Sequence, residues 1–126
     1  MFLINEDKSI YITRGDVAII DITAEEADGT SHTFQKGDVV RIQVFEKKRH
    51  ENVVLRKDVV AAAETGCMTI QLSAEDTTIG EIINKPVDYW YEVELNPDTA
   101  PQTIIGYDED GAKVFRLFPE GSDIDE

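Results

Sequence analysis

The chain has 126 residues, with 26 acidic and 12 basic side chains and a formal net charge of −14. That length suits one domain with its own core, and 41% apolar residues is not a disordered composition. The charge excludes wrapping nucleic acid or lying on an anionic membrane, because both surfaces would repel it.

The acids are unevenly spread. Residues 1–63 carry 11 acids and 9 bases, whereas residues 64–126 carry 15 acids and 3 bases. The second half supplies nearly all of the field, which keeps a small protein solvated and draws basic partners toward it. One cysteine, Cys67, permits no internal disulfide; it heads an apolar run beside Met68 and reads as a buried, inert thiol. The segment Met1 to Lys8 turns charged too soon for a secretory signal. No apolar run approaches the ~18 residues of a membrane span. Synthesis and folding in the cytoplasm are the expectation.

The predicted elements alternate between short strands and polar turns. Ser9–Thr13 reads as a strand, and Arg14-Gly15-Asp16 as a β turn rather than an adhesion signal. Val17–Ile22 is a second strand, with Ala18, Ile20 and Ile22 as the cleaner core face. Asp28-Gly29 tips the next turn. Val39–Glu46 is a clear strand: Val40, Ile42 and Val44 share one face, Arg41, Gln43 and Phe45 the other. The basic run Lys47-Lys48-Arg49-His50 reads as a solvated turn. Asn52–Arg56 is extended, and Lys57–Ala63 is either strand or irregular chain, since its valines and alanines pull in different directions.

Met68–Leu72 alternates with Met68, Ile70 and Leu72 inward. Ser73 followed by Asp76 predicts a capped one-turn helix that Gly80 ends, with Ile79, Ile82 and Ile83 plugging the core nearby. Val87–Leu95 has the strongest period of two. Val87, Tyr89, Tyr91, Val93 and Leu95 share its core face; Asp88, Trp90, Glu92 and Glu94 share its polar face. Trp90 on that polar side is costly to leave bare and calls for a neighbour or a protein contact. Gln102–Tyr107 and Ala112–Phe118 read as a hairpin about the turn 108–111. One β domain over residues 1–121 and an acidic tail at 122–126 complete the chain. Seven or eight strands and one minor helix make an all-β sandwich or small barrel.

No catalytic set emerges. His32 and His50 stand 18 residues apart outside any zinc motif and read as solvated turn residues. Asp108-Glu109-Asp110 lacks the twelve-residue spacing of a calcium loop, although clustered carboxylates attract hard cations. With 26 acids, close carboxylate pairs carry no signal for glycoside chemistry. No phosphate loop, nucleophile elbow or base-stacking strand is present. The expectation is a non-enzyme without cofactor or metal.

The chain resembles the small immunoglobulin-like β proteins of phage baseplates, above all the N-terminal domain of the upper baseplate protein of phages of Gram-positive hosts. Three stretches carry the resemblance: Gly15–Ile22, followed by Phe34 to Phe45; Met68–Ser73 and the turn after it; and the Tyr-rich strand Asp88–Leu95, leading to the Thr103–Phe118 hairpin. It spans residues 9–118. It implies an immunoglobulin-like antiparallel β-sandwich with one short helical turn. It also implies a non-enzymatic structural part of a phage or prophage tail, bound to other baseplate or tail proteins or to further copies of itself, and located in the virion. Family members often continue into a fibre or receptor-binding region; here Pro119-Glu120-Gly121 closes the domain, implying a stand-alone copy. Trp90, Phe45 and Tyr107 are the expected protein-interaction residues. The alternative is a carbohydrate-binding β-sandwich, with Trp90 and Tyr107 as platforms for sugar faces.

Overall fold

A computed structural model describes residues 2–4, 8–107 and 111–120. The expected turn at 108–110 and the tail at 122–126 lie outside the described residues. Among the described residues, nine strands and one helix follow in chain order: β1 (Phe2–Ile4), β2 (Ile10–Thr13), β3 (Ala18–Ile22), β4 (Val39–Lys47), β5 (Glu51–Val60), β6 (Met68–Leu72), α1 (Ala74–Thr77), β7 (Val87–Leu95), β8 (Gln102–Ile105) and β9 (Lys113–Phe118). The period-two patterns account for most of these elements. Where apolar residues alternate with polar ones, one face leaves water and the other stays in it.

The strands form two layers. One sheet has the order β1-β2-β9-β7-β4-β5, with β8 added to β7; the other is the pair β3-β6. In the large sheet Val40, Ile42 and Val44 lie opposite Leu95, Val93 and Tyr91, and all six are buried. Phe115, Leu117, Ile10 and Ile12 continue the same apolar face. The small sheet answers with Ala18, Ile20 and Ile22 from β3 and Leu72, Ile70 and Met68 from β6. Phe34, fully buried, packs into the same core from the loop before β4. The chain is thus the all-β sandwich with one short helical turn that its sequence predicts.

Several details differ from the sequence reading. The pair β2–β9 is parallel, so the pairing is not antiparallel throughout. Among the described residues, β8 and β9 do not pair with each other as the expected hairpin. β8 pairs with Val93–Leu95 and β9 with Val87–Tyr91, both antiparallel to β7. They therefore run in the same direction and occupy successive parts of one edge. The chain leaves the sheet at Gly106, where a Cβ would meet Thr103 Cγ2 at 2.6 Å. The ambiguous residues after Arg56 continue β5 to Val60, because β4 offers partners as far as Val39. Near the N-terminus, β1 adds a strand that sequence reading did not assign.

The ends of the sandwich are tied by polar groups. Gly15, at φ +87°, makes the expected turn, closed by the Asp16 N–H on Thr13 O at 3.0 Å. Arg14 is buried there. It donates to Ile79 O at 3.1 Å, to Gly80 O at 2.7 Å and to Glu120 Oε1 at 2.8 Å. Ser73 and Asp76 form the expected capping box on α1, and Asp76 also takes Lys57 Nζ at 3.0 Å. Ile79 is buried and Ile83 packs on the core, but Ile82 points into solvent.

Candidate interaction site

The outward face of the large sheet is the side turned away from β3 and β6. Along β7 it presents Asp88, Trp90, Glu92 and Glu94, which alternate with the buried Tyr91, Val93 and Leu95. The neighbouring strands place Arg116 opposite Asp88, Val114 and Phe45 opposite Trp90, Gln43 opposite Glu92, and Arg41 opposite Glu94. The middle of the face is aromatic and its two ends are ionic.

Phe45 follows the inward Val44, so simple alternation aims it outward. It is nevertheless only 4% exposed. The cover comes from His50, whose ring lies on Phe45 with centroids 4.5 Å apart and planes 4° apart. His50 also contacts Tyr107 at 4.6 Å between ring centroids. The Tyr107 hydroxyl donates to the carbonyl of Lys48, tying the segment after β8 to the β4–β5 turn. The three residues expected to bind a partner are thus brought together: Phe45 pairs with Trp90 across the strands and reaches Tyr107 through His50. Their exposures differ. Phe45 is a covered support, Trp90 is half-buried, and Tyr107 is 55% exposed.

His50 is therefore no solvated turn residue. Its side chain is 12% exposed, with Nδ1 3.3 Å from Glu92 Oε2 and Nε2 buried without a hydrogen-bond partner. The turn explains why. The His50 N–H closes on Lys47 O at 2.9 Å, and His50 takes φ +61°, a left-handed conformation usually left to glycine. That backbone swings the ring back over Phe45. A histidine at the last position of a hairpin turn, five residues after an outward Phe, was the signal available in the sequence.

The electrostatics follow from this packing. Burial raises the Glu92 carboxyl above the usual carboxylate range, and neighbouring Glu94 adds to the rise; His50 opposes both. At one end of the face Arg41 holds Asp58 through Nε at 2.7 Å and Asp98 through Nη2 at 3.0 Å. These bonds push the guanidinium pKa up and keep the Asp58 carboxyl below its ordinary range. At the other end Arg116 donates to Asp88 at 2.6 Å and lies 5.0 Å from the Tyr11 ring centroid.

The remaining candidates lie elsewhere. His32 is also mostly covered: Nδ1 sits 2.6 Å from Glu26 Oε1 and the ring packs edge-on to Phe34 at 5.0 Å. Cys67 is exposed, not buried. Alternation in β6 starts with Met68 inward and leaves Cys67 outward, in a turn where Thr65 Oγ1 accepts its N–H at 3.2 Å. Among the described residues no group of three or more His, Cys, Asp and Glu is placed to hold a metal ion. Among them, too, no helix is long and apolar enough to cross a membrane. The chain matches no protein-family model, no curated protein and no solved structure.

Proposed function

We propose that this chain is a non-enzymatic assembly component of a phage or prophage tail baseplate, carried in the virion, and that it binds other tail proteins through the Trp90–Tyr107 face. The observation that carries the reading is the aromatic cluster itself. A buried Phe45, with His50 stacked on it, links Tyr107 to the cross-strand neighbour Trp90 on the outward sheet face. Rigid, partly exposed aromatic rings flanked by satisfied ion pairs are the usual make-up of a protein contact: an apolar centre with a polar rim. The resemblance of the Tyr-rich strand and its surroundings to baseplate domains supplies the kind of partner.

The test is co-purification of tail proteins with the tagged chain from cells producing the particle, compared with Tyr107→Ala and Trp90→Ala. Loss of the same tail proteins from both variants, with the fold intact by circular dichroism, supports the reading. Equal recovery with both variants contradicts it. The carbohydrate alternative draws on one observation, that Trp90 and Tyr107 belong to one cluster with the Glu92 carboxylate beside it. Glycan binding by the wild-type chain that Trp90→Ala abolishes would favour it.

A further inference from the structure

A β-sandwich has open sheet edges, and each exposes backbone N–H and C=O groups that can pair with another chain. The edges here are unequally guarded. β1 is only three residues long. β5 has ten residues but protects itself twice. Lys57, opposite the fully buried Ile42, is an inward-facing charge paired with Asp76, and the register shifts between Val44 and Phe45. β6 has β5 and α1 packed beside it. β3 has none of these devices. Its five residues pair with β6 alone among the described strands, and Val17–Ile22 contains no Lys, Arg or Pro. Its outward side shows Ile19 at 61% exposure, next to Val17 at 70%.

We propose that β3 pairs antiparallel with β3 of a second copy of this chain, across a two-fold axis at Ile19, joining two short sheets into one of four strands. The sequence of the strand is self-complementary in this register. Ile19 meets Ile19 of the second copy on the outward side, and Ala18 meets Ile20 on the core side, small against large. Asp21, the one charge in the strand, falls opposite Val17 rather than opposite itself and keeps its hydrogen bond from Thr69 Oγ1 at 3.0 Å. β3 also belongs to the half of the chain with 11 acids and 9 bases, so the strong field of the other half is not concentrated on its sequence. Pairing of one patch with itself closes after two copies. The surface differs from the aromatic cluster, and the pairing holds whether or not that cluster binds tail proteins.

The experiment is light scattering over a concentration series, first at about 0.15 M salt and then at about 0.5 M, where repulsion between acidic copies is further screened. The expected result is a dimer that strengthens with salt and is lost in Ile19→Lys, while Tyr107→Ala leaves it intact. Ile19 is exposed, so Ile19→Lys keeps the circular dichroism spectrum of the folded wild type. In a Cys67→Ser background, Ile19→Cys oxidises to a covalent dimer. A chain monomeric at every concentration and both salts overturns the proposal, as does a dimer that Ile19→Lys leaves unchanged. An Ile19→Cys chain that does not cross-link overturns the pairing at this register.

Discussion

His50 lies flat on Phe45, ring planes 4° apart, and this stack converts an outward aromatic into a buried one. The stack requires an unusual backbone, since His50 holds φ +61°. Its contribution to stability therefore has two opposed parts, ring packing and conformational cost.

Those parts are separable. His50→Ala removes the ring and keeps the strained conformation; it should destabilise by about 1–2 kcal/mol. His50→Gly removes the ring but suits the left-handed turn, so it should be milder by about 0.5–1 kcal/mol. Urea denaturation of the two variants checks the order. Equal losses would show that the backbone at 50 is unstrained.

Arg14 should matter more than any surface ion pair. Its guanidinium is buried and satisfies two carbonyls, Ile79 O and Gly80 O, as well as Glu120. Arg14→Leu strands those acceptors, and a loss of about 2–4 kcal/mol is expected. Arg14→Lys should recover little of it, because one ammonium cannot reproduce the planar fork. Denaturant midpoints of both variants are the measurement.

Stability should bend with pH in two opposite ways. The Asp58 carboxyl is lowered mainly by its bond from Arg41, and that of Asp76 mainly by the Ser73 backbone N–H. Both favour the folded state above the unfolded aspartate pKa, and that stability is lost as pH falls through their lowered folded values. Glu92 has the opposite sign. Its raised folded pKa favours the fold below the unfolded glutamate value, and this gain disappears as pH rises through the folded value. Glu92→Gln should therefore flatten the pH dependence in that upper window, while Asp76→Asn flattens the acid limb. Urea midpoints across the acid range read both effects; an unchanged upper window in Glu92→Gln contradicts the assignment.

Lys57 is expected to keep the β5 edge single. Lys57→Ile removes the inward charge and leaves Asp76 without its ammonium. Light scattering should show larger, open-ended association for this variant, unlike the closed dimer assigned to β3. No gain in association would mean that the shift near Phe45 alone protects the edge.

Much of this architecture is legible in the sequence because alternation decides which residues leave water. Val40, Ile42 and Val44, the β6 residues, and Tyr91 to Leu95 all fall where period two places them. The helix cap is equally local, since Ser73 and Asp76 need only each other. What escapes the sequence is long-range. Two strands close in the chain can read as a hairpin, yet β8 and β9 both prefer the edge of β7. Trp90, Phe45 and Tyr107 are visible as exposed-face aromatics, but the residue that links them is not. His50 sits in a basic, polar run, and only its left-handed backbone turns it onto Phe45. Cys67 fails in the reverse direction, one position short of the inward phase.

The proposed function makes the Trp90–Tyr107 face the contact surface for tail proteins. Trp90 is the sole tryptophan, so chain labelled with 5-fluorotryptophan gives one fluorine resonance. That resonance should be recorded before and after mixing with unlabelled tail proteins purified from the producing cells. A changed chemical shift in the complex, together with protection from a soluble paramagnetic agent, is the predicted result. A complex that forms and broadens the line, yet leaves its shift and solvent access as in the free chain, would contradict the account.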